Sequence, residues 1–210
     1  MSLRRTREGL VTLTAGARES VRYTLDGSEP GETSAAYVGP IPLPRGGVLK
    51  ARAFAGKTSG DTVTRVFGLA KAKWKIAGTS CDNDGKASAV IDDDVKTLWH
   101  THTEAGRQPP PQWVAVDLGE PVRIGAFTLT PRADGVSHGV PDRYRFEVSA
   151  DGAAWRPAAE GELSNIRANP VEQTVKLAAP ETARFFRFTG LRCLDGDQIA
   201  VAELGVLAAP

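Results

Sequence analysis

The sequence lacks the features that mark several large classes of protein. Its 26 Lys and Arg nearly balance its 25 Asp and Glu, which leaves a net charge of +1, and no basic block carries interleaved aromatic residues. We therefore expect no nucleic-acid partner. No apolar run approaches the length of a membrane span, so we expect no membrane insertion. The first residues, MSLRRTR, lack the apolar core of a signal peptide, so either the protein is intracellular or a leader lies outside this sequence.

Cysteine is scarce as well, since only Cys81 and Cys193 are present. A disulfide between them would close a loop of about a hundred residues and would stabilise the fold by about 4 kcal/mol if its geometry were unstrained. Two separate buried thiols are the alternative. Helical periodicity is nearly absent, and a short turn around residues 86–90 is the best helical candidate.

Turn residues are abundant, with 22 Gly and 14 Pro between short β-branched and aromatic runs. This composition favours many strands and many turns. A length of 210 residues suffices for two modest domains, each with its own core. The basic segment 69–73 has neither Pro nor Gly and is typical of a brief connector. We therefore predict an all-β protein with one domain over residues 8–69 and a second over residues 70–210.

Alternating polar and apolar residues predict strands in the first domain, and Asp26-Gly27 predicts a tight turn. The string Tyr23-Thr-Leu-Asp-Gly-Ser-Glu-Pro30, followed by Tyr37 and by Leu49-Lys-Ala-Arg-Ala53, resembles the C-terminal domain of chitobiases and hexosaminidases. That resemblance implies a small fibronectin- or Ig-like β-sandwich that acts as a spacer. The polar side chains of the string then serve the turn rather than catalysis.

An acidic stretch stands out in the second domain. Asp92, Asp93 and Asp94 are followed by the hydroxyl of Thr97, and Trp99 adds a large apolar anchor. Hard oxygen donors within one tight loop suit Ca²⁺, which takes about six to eight of them in a tolerant geometry. An acidic surface turn before a strand is the alternative, since the spacing of an EF-hand is absent.

The same stretch opens a series of motifs: Ala89-x-x-Asp92-x-Asp94-x-x-Thr97-x-Trp99-His100-Thr101, Trp113-Val-Ala-Val-Asp117-Leu-Gly119, Pro131-Arg132, Phe146-Glu-Val-Ser149 and Ala200-Val-Ala-Glu203-Leu204. Over about residues 74–207 the chain resembles the discoidin, or coagulation factor type C, domain and its galactose-binding-like bacterial carbohydrate-binding modules. The resemblance implies a discoidin-like β-sandwich jelly roll.

The resemblance also implies a structural Ca²⁺ held by Ala89, Asp92, Asp94, Thr97, Ala202 and Glu203. The apolar neighbours of Glu203 support this assignment, because an acid in such surroundings needs a cation or a hydrogen-bond donor. An ordinary edge carboxylate is the alternative. Both cysteines flank loops that the resemblance places towards the calcium end, which favours their proximity.

A sugar site is implied in the same way. In galactose-binding members a His after the Trp and an Arg after the Pro contact the sugar, and His100 and Arg132 match them. The family's Asn is replaced in the region of Ser137 and His138, and His102 adds a polar group to the rim. The loops lack the aromatic platform on which the sugar usually stacks, so we expect weak affinity or an unusual ligand.

Two alternatives apply to these residues. His100 and Arg132 could make purely structural hydrogen bonds. His100 and His102 with Glu104 could suggest zinc, but no third and fourth ligands sit at a suggestive spacing.

These observations predict a non-catalytic, calcium-stabilised carbohydrate-binding module with a spacer domain, from a secreted, periplasmic or cell-surface bacterial glycoside hydrolase. The domain order is similar to the C-terminal end of some bacterial α-L-fucosidases, and we expect galactose-type or fucosylated glycans as ligands. We expect a monomer whose partners are glycans and the parent catalytic domain. One alternative is an enzyme, which would need paired carboxylates or an activated nucleophile. The other is a structural or protein-adhesion module, marked by exposed apolar rim residues such as Val136 and Leu194.

Overall fold

The computed structural model describes residues 1–56, 58–81, 86–103 and 106–209. The chain divides into two compact units, Met1–Ala72 and Lys73–Pro210. The segment expected to connect them belongs largely to the first unit, because the amide of Ala70 donates to the carbonyl of Pro44 at 2.9 Å and that of Ala72 to the carbonyl of Arg7 at 3.0 Å. Asp82–Gly85, where we expected a turn, lies outside the described residues.

The first unit is a small pair of antiparallel sheets. Its strands are β1 (Ser2–Arg5), β2 (Leu10–Thr14), β3 (Ser20–Thr24), β4 (Ala35–Ala36), β5 (Ile41–Pro42), β6 (Gly47–Ala55), β7 (Thr58–Ser59) and β8 (Val63–Phe67). One sheet has the order β1-β2-β5, and the other has the order β4-β3-β6-β7 with β8 also paired to β6. The inward faces of these strands, together with Leu43 just after β5, supply a core of Val11, Leu13, Val21, Ile41, Leu43, Leu49 and Ala51.

The second unit carries the remaining strands. They are β9 (Lys75–Thr79), β10 (Trp99–His100), β11 (His102–Thr103), β12 (Gly106–Arg107), β13 (Gln112–Thr130), β14 (Pro141–Ser149), β15 (Arg156–Glu162), β16 (Gln173–Cys193), β17 (Ala200–Val201) and β18 (Glu203–Ala208). A 3-10 helix, Ala87–Ile91, forms where we expected a helical turn. The main sheet has the order β15-β14-β16-β13-β18, with β9 also paired to β13.

Two long strands shape this unit. The first half of β13 pairs with β9 and with the end of β16, whereas its second half pairs with β18 and with the start of β16. The register between β13 and β16 shifts between Asp117 and Val122 and again between Ile124 and Ala126. Such irregularities bend a strand and increase its twist. One pair of strands therefore serves both halves of the sheet.

Aromatic side chains fill the core of the second unit. The rings of Phe127 and Phe146 stack with centroids 4.4 Å apart, and Phe146 stacks on Phe186 at 5.4 Å. Trp74 meets Phe186 edge to face at 5.7 Å. Full burial of each Phe contributes about 1.5–3 kcal/mol to stability relative to exposure. The core thus depends on residues from the segment before β9, from β13, from β14 and from β16.

The all-β prediction is confirmed by this architecture. Cys81 and Cys193 are not joined by a disulfide. Among the described residues we find no helix that is both long enough and apolar enough to cross a bilayer.

Two glycines of the first unit allow the cost of backbone strain to be measured apart from the cost of steric overlap. Gly46 and Gly27 both have positive φ, +74° and +83°. A Cβ on Gly46 would overlap the carbonyl oxygen of Phe67 and would lie 2.6 Å from that of Gly68, whereas a Cβ on Gly27 would meet nothing within 4 Å. We predict that Gly27→Ala costs about 1–2 kcal/mol, from backbone strain alone.

Gly46→Ala should cost about 3 kcal/mol or more, because overpacking adds to the strain. Hydrogen exchange of the β6 and β8 amides in both variants measures the two costs. Equal losses of protection would contradict the predicted overlap at Gly46.

Candidate functional site

The loops at one end of the second unit are brought together by short strand pairings. Trp99 and His100 of β10 pair with Val201 and Ala200 of β17. The amide of Ala200 in turn donates to the carbonyl of Gly139 at 2.7 Å. The loops that follow β10 and β13 and precede β17 therefore meet at this end of the sheet.

Arg132 organises the loop after β13. Its Nε and Nη2 donate to the carboxylate of Asp134 at 2.8 and 2.6 Å, and its Nη1 donates to the carbonyl of His138 at 2.9 Å. The hydrogen bond from Arg132 lowers the pKa of Asp134, against the opposing effect of burial. A guanidinium has five N–H donors, so one N–H on each Nη of Arg132 remains without a partner among the described residues.

Asp195 ties three loops together. It accepts hydrogen bonds from Arg167 Nη1 at 3.0 Å and Nη2 at 2.9 Å, and another from the hydroxyl of Ser137. Its backbone forms a bridge with His138. The hydrogen bonds from Arg167 and then from Ser137 lower the pKa of Asp195, so its carboxylate stays ionised at neutral pH.

These loops enclose a cavity of about 180 Å³. Its polar wall includes Arg132, Ser137 and Arg167, and its apolar wall is formed largely by Val136, Val140, Ile166, Pro170 and Leu194. Small-molecule sites typically combine an apolar surround with a few fixed polar groups. A cavity of this size suits a small ligand such as one sugar ring.

The two remaining histidines lie on the short strands β10 and β11. The rings of His100 and His102 have centroids 6.3 Å apart, and the amide of His102 donates to Nδ1 of His100 at 3.4 Å. His102 pairs with Arg107 across β11 and β12, and Arg107 forms an ion pair with Asp197 at 3.3 Å. The structure thus joins Ser137 and His138 to Asp195 and Arg132 to His138, whereas His102 is linked to Asp197 only through its strand partner Arg107.

Glu104, the third residue considered for zinc, lies outside the described residues. Within the described part of the chain, no group of three or more His, Cys, Asp or Glu residues is placed to hold a metal ion.

Sequence reasoning missed Arg167 and Asp195, which are 28 residues apart in the chain. The Asp195-Gly196-Asp197 string was the available signal, because such residues mark an exposed polar loop. Nothing in the local pattern pairs that loop with Arg167.

The acidic loop brings three oxygen-bearing residues together. The hydroxyl of Thr97 donates to Oδ2 of Asp92 at 2.8 Å and contacts the carbonyl oxygen of Asp94 at 2.9 Å. Asp92 Oδ1 accepts a hydrogen bond from the amide of Asp94 at 2.9 Å. Asp93 adopts a positive φ of +64°, which turns the chain between them. Oxygens of Asp92, Asp94 and Thr97 therefore converge.

Ala202 and Glu203 lie on a neighbouring element. Glu203 opens β18, which packs against the 3-10 helix that contains Ala89, and it is only 7% exposed. The amide of Ala202 is anchored by the carbonyl of Thr130 at 3.1 Å. Carboxylate, hydroxyl and carbonyl oxygens are the ligands that suit a hard cation, although the described residues do not bring Glu203 together with Asp92 and Asp94 as one group of three acids. The donor set therefore fits Ca²⁺ better than zinc.

Comparisons with known proteins agree with this architecture. The sequence profile of the F5/8 type C domain matches residues 75–204, and that of the chitobiase/beta-hexosaminidase C-terminal domain matches residues 6–64. A sialidase of Micromonospora viridifaciens is 32% identical over 162 residues, which cover 74% of this chain and 24% of the sialidase. The chain thus spans about a quarter of the length of that curated relative.

Two solved structures share the fold of the second unit. One is the family 32 CBM from C. perfringens NanJ in complex with galactose, with TM-score 0.57 and 25% identity, covering 65% of this chain and 94% of that one. The other is CpGH89CBM32-5 from Clostridium perfringens in complex with GalNAc-beta-1,3-galactose, with TM-score 0.55 and 28% identity, covering 65% and 94%. Because the first profile covers more than half of its residues, the chain belongs to the F5/8 type C domain family.

Proposed function

We propose that this chain is a non-catalytic carbohydrate-binding module that takes a galactose-type sugar in the cavity at its loop end. The observation that carries the proposal is the cavity of about 180 Å³ between Arg132, Ser137 and Arg167. Arg132 and Arg167 are held by carboxylates, so their planar groups are oriented before a ligand arrives. The structural relatives that are bound to galactose or to GalNAc-beta-1,3-galactose support this ligand class.

The acids beside the cavity argue against an enzyme. Asp134 and Asp195 both have a lowered pKa because arginine hydrogen bonds stabilise their ionised forms. A general acid at neutral pH needs a raised pKa, and glycoside hydrolysis usually needs one such acid facing a second carboxylate. Asp134 and Asp195 are therefore suited to orienting arginines, not to transferring protons.

The module would serve a larger enzyme by holding it on its substrate. Tethering raises the effective concentration of the catalytic domain near the glycan without new chemistry. A bacterial glycoside hydrolase that acts outside the cytoplasm is the parent that we propose. The more specific proposal of an α-L-fucosidase and of fucosylated ligands rests on domain order alone, since the curated relative compared above is a sialidase.

A structural Ca²⁺ is the second part of the proposal. Ala89, Asp92, Asp94, Thr97, Ala202 and Glu203 would hold it through oxygen atoms. When bound, the ion would link the acidic loop to the start of β18 and would neutralise the buried Glu203. The loop end would then be more rigid.

The sugar site can be tested with two arginine variants. Arg167→Ala removes an exposed side chain from the cavity wall, and Arg132→Ala removes the group that holds the loop after β13. Both variants should weaken galactose binding at least about tenfold, since a hydrogen bond to a charged group is worth about 1.5–3 kcal/mol. Titration calorimetry of galactose, N-acetylgalactosamine and fucose measures the loss.

Arg143→Ala is the matched control, because Arg143 is 50% exposed on β14 and pairs with Glu160 at 3.8 Å. It should bind like the parent chain. If the unsubstituted chain binds none of the three sugars at millimolar concentration, the galactose proposal fails and the protein-adhesion alternative is favoured.

The calcium proposal predicts a chelator effect on stability. Treatment with EDTA should lower the melting temperature, and added Ca²⁺ should restore it, because an ion that binds only the folded state stabilises it by mass action. Glu203→Gln should weaken this response, whereas Glu172→Gln, at an exposed position, should leave it intact. A melting temperature that is insensitive to EDTA and to Ca²⁺ in the unsubstituted chain would contradict the site.

A further inference from the structure

A second and larger depression lies on the face of the main sheet. It has a volume of about 720 Å³ and spans β13, β14 and β16 with the segments beside them. Its lining includes Trp113, Arg145, Glu147, Arg187 and Thr189. Among the described residues it shares no lining residue with the loop-end cavity. We call it the sheet-face cleft.

A buried ion pair forms part of the wall of the cleft. Arg187 Nε and Nη2 donate to the two carboxylate oxygens of Glu147, each at 2.7 Å, and Glu147 is only 7% exposed. The guanidinium of Arg187 also lies over two indole rings, 5.5 Å from the centroid of Trp113 and 4.7 Å from that of Trp155. Arg187 is therefore held rigidly, with its charge compensated on one edge.

The other edge of Arg187 is not used by the protein. Its Nη1 has no hydrogen-bond partner among the described residues, although the side chain is 24% exposed and lines the cleft. Arg145 is similar: its Nε donates to Glu160 at 2.7 Å, its two Nη groups have no partner in the described part of the chain, and it is 42% exposed. The cleft thus offers several unused N–H donors from fixed guanidinium groups.

The remaining wall suits a sugar ring. Thr189 contributes a hydroxyl that makes no hydrogen bond to the described residues, and Trp113 contributes a partly exposed indole. Trp113 lies against Gly78 of β9, where a Cβ would come within 3.4 Å of the ring. The part of the indole that neither Gly78 nor the guanidinium of Arg187 covers offers an apolar surface, and hydroxyl and N–H groups around it fix the orientation of a ligand.

The charged side chains of the sheet-face cleft indicate which kind of glycan it would bind. Among the described residues that line the cleft, Arg145 and Arg187 carry two positive charges and Glu147 carries one negative charge, so the lining has one positive charge in excess. Glu160, which pairs with Arg145, lies outside this lining. Unused donors together with an excess positive charge favour a ligand that supplies acceptors and a negative charge.

We propose that the sheet-face cleft binds a carboxylated oligosaccharide, with Trp113 against a sugar ring and the free donors of Arg145 and Arg187 on its carboxylate and hydroxyl oxygens. This site is separate from the galactose cavity and goes beyond the function proposed above. Its volume, about fourfold that of the loop-end cavity, accommodates several sugar units rather than one.

The test uses the whole chain and matched ligands. Trigalacturonate, triguluronate and sialyllactose are titrated by calorimetry at low salt, each beside its carboxyl-reduced neutral form. At least one carboxylated trisaccharide should bind, and its neutral form should bind at least about tenfold more weakly, since a charge-assisted hydrogen bond is lost. Added salt should weaken the carboxylated ligand more than the neutral one.

Two variants examine the cleft. Arg145→Ala should lower affinity for the carboxylated ligand at least about tenfold, and Thr189→Val, which keeps the side-chain shape, should lower it severalfold. Arg184→Ala is the control, because Arg184 is 45% exposed on the same strand as Arg187 and is paired with Asp117 outside the cleft.

Galactose titration separates this proposal from the previous one. Arg145→Ala and Thr189→Val should leave galactose binding unchanged, and Arg167→Ala should leave carboxylated ligands unchanged. Three outcomes would overturn the proposal for the sheet-face cleft. The neutral and carboxylated forms could bind equally, no carboxylated trisaccharide could bind, or Arg184→Ala could lower the affinity as much as Arg145→Ala does.

Discussion

The antiparallel pairing of β13 with β16 is the constraint on which the second unit depends. These strands are 19 and 21 residues long, and the register between them shifts twice. Because side chains alternate between faces along a strand, Phe186 points into the core while the next residue, Arg187, lies beside Trp113 on the opposite face. The core and the sheet-face cleft are therefore two sides of one pairing, and a slip of one residue would exchange them.

The loop end depends on the same pairing, through the end of β13. Thr130 pairs with Glu203 and anchors Ala202, so the last residues of β13 fix the start of β18. Arg132 follows two residues later and is held by Asp134 and by the carbonyl of His138. The loop-end cavity and the sheet-face cleft share one arrangement: a carboxylate binds part of an arginine guanidinium, and the other N–H groups of that guanidinium remain available to a ligand. Such a group loses little further entropy when it binds a ligand.

The sequence reveals the local part of this arrangement. Alternation in Tyr144–Ser149 predicts a strand, and the spacing of Asp92, Asp94 and Thr97 predicts a loop in which their oxygens converge, as they do. Periodicity cannot reveal Arg167 beside Asp195 or Glu147 beside Arg187, because each pair depends on strand register and loop paths that no local pattern encodes. The match of Arg132 to a sugar-binding position likewise did not foresee that its guanidinium is largely engaged by Asp134 and His138.

The loop-end cavity and the sheet-face cleft differ in the aromatic residues of their linings. The loop-end cavity is walled by aliphatic side chains such as Val136, Ile166 and Leu194, whereas the sheet-face cleft contains the indole of Trp113. An indole presents more apolar surface to a ligand than a single aliphatic side chain does. The small cavity would thus select one sugar by its hydroxyls with little affinity, and the cleft would supply affinity along a chain. If one glycan reaches both, the second contact is intramolecular, and the two contacts together bind more tightly than either does alone.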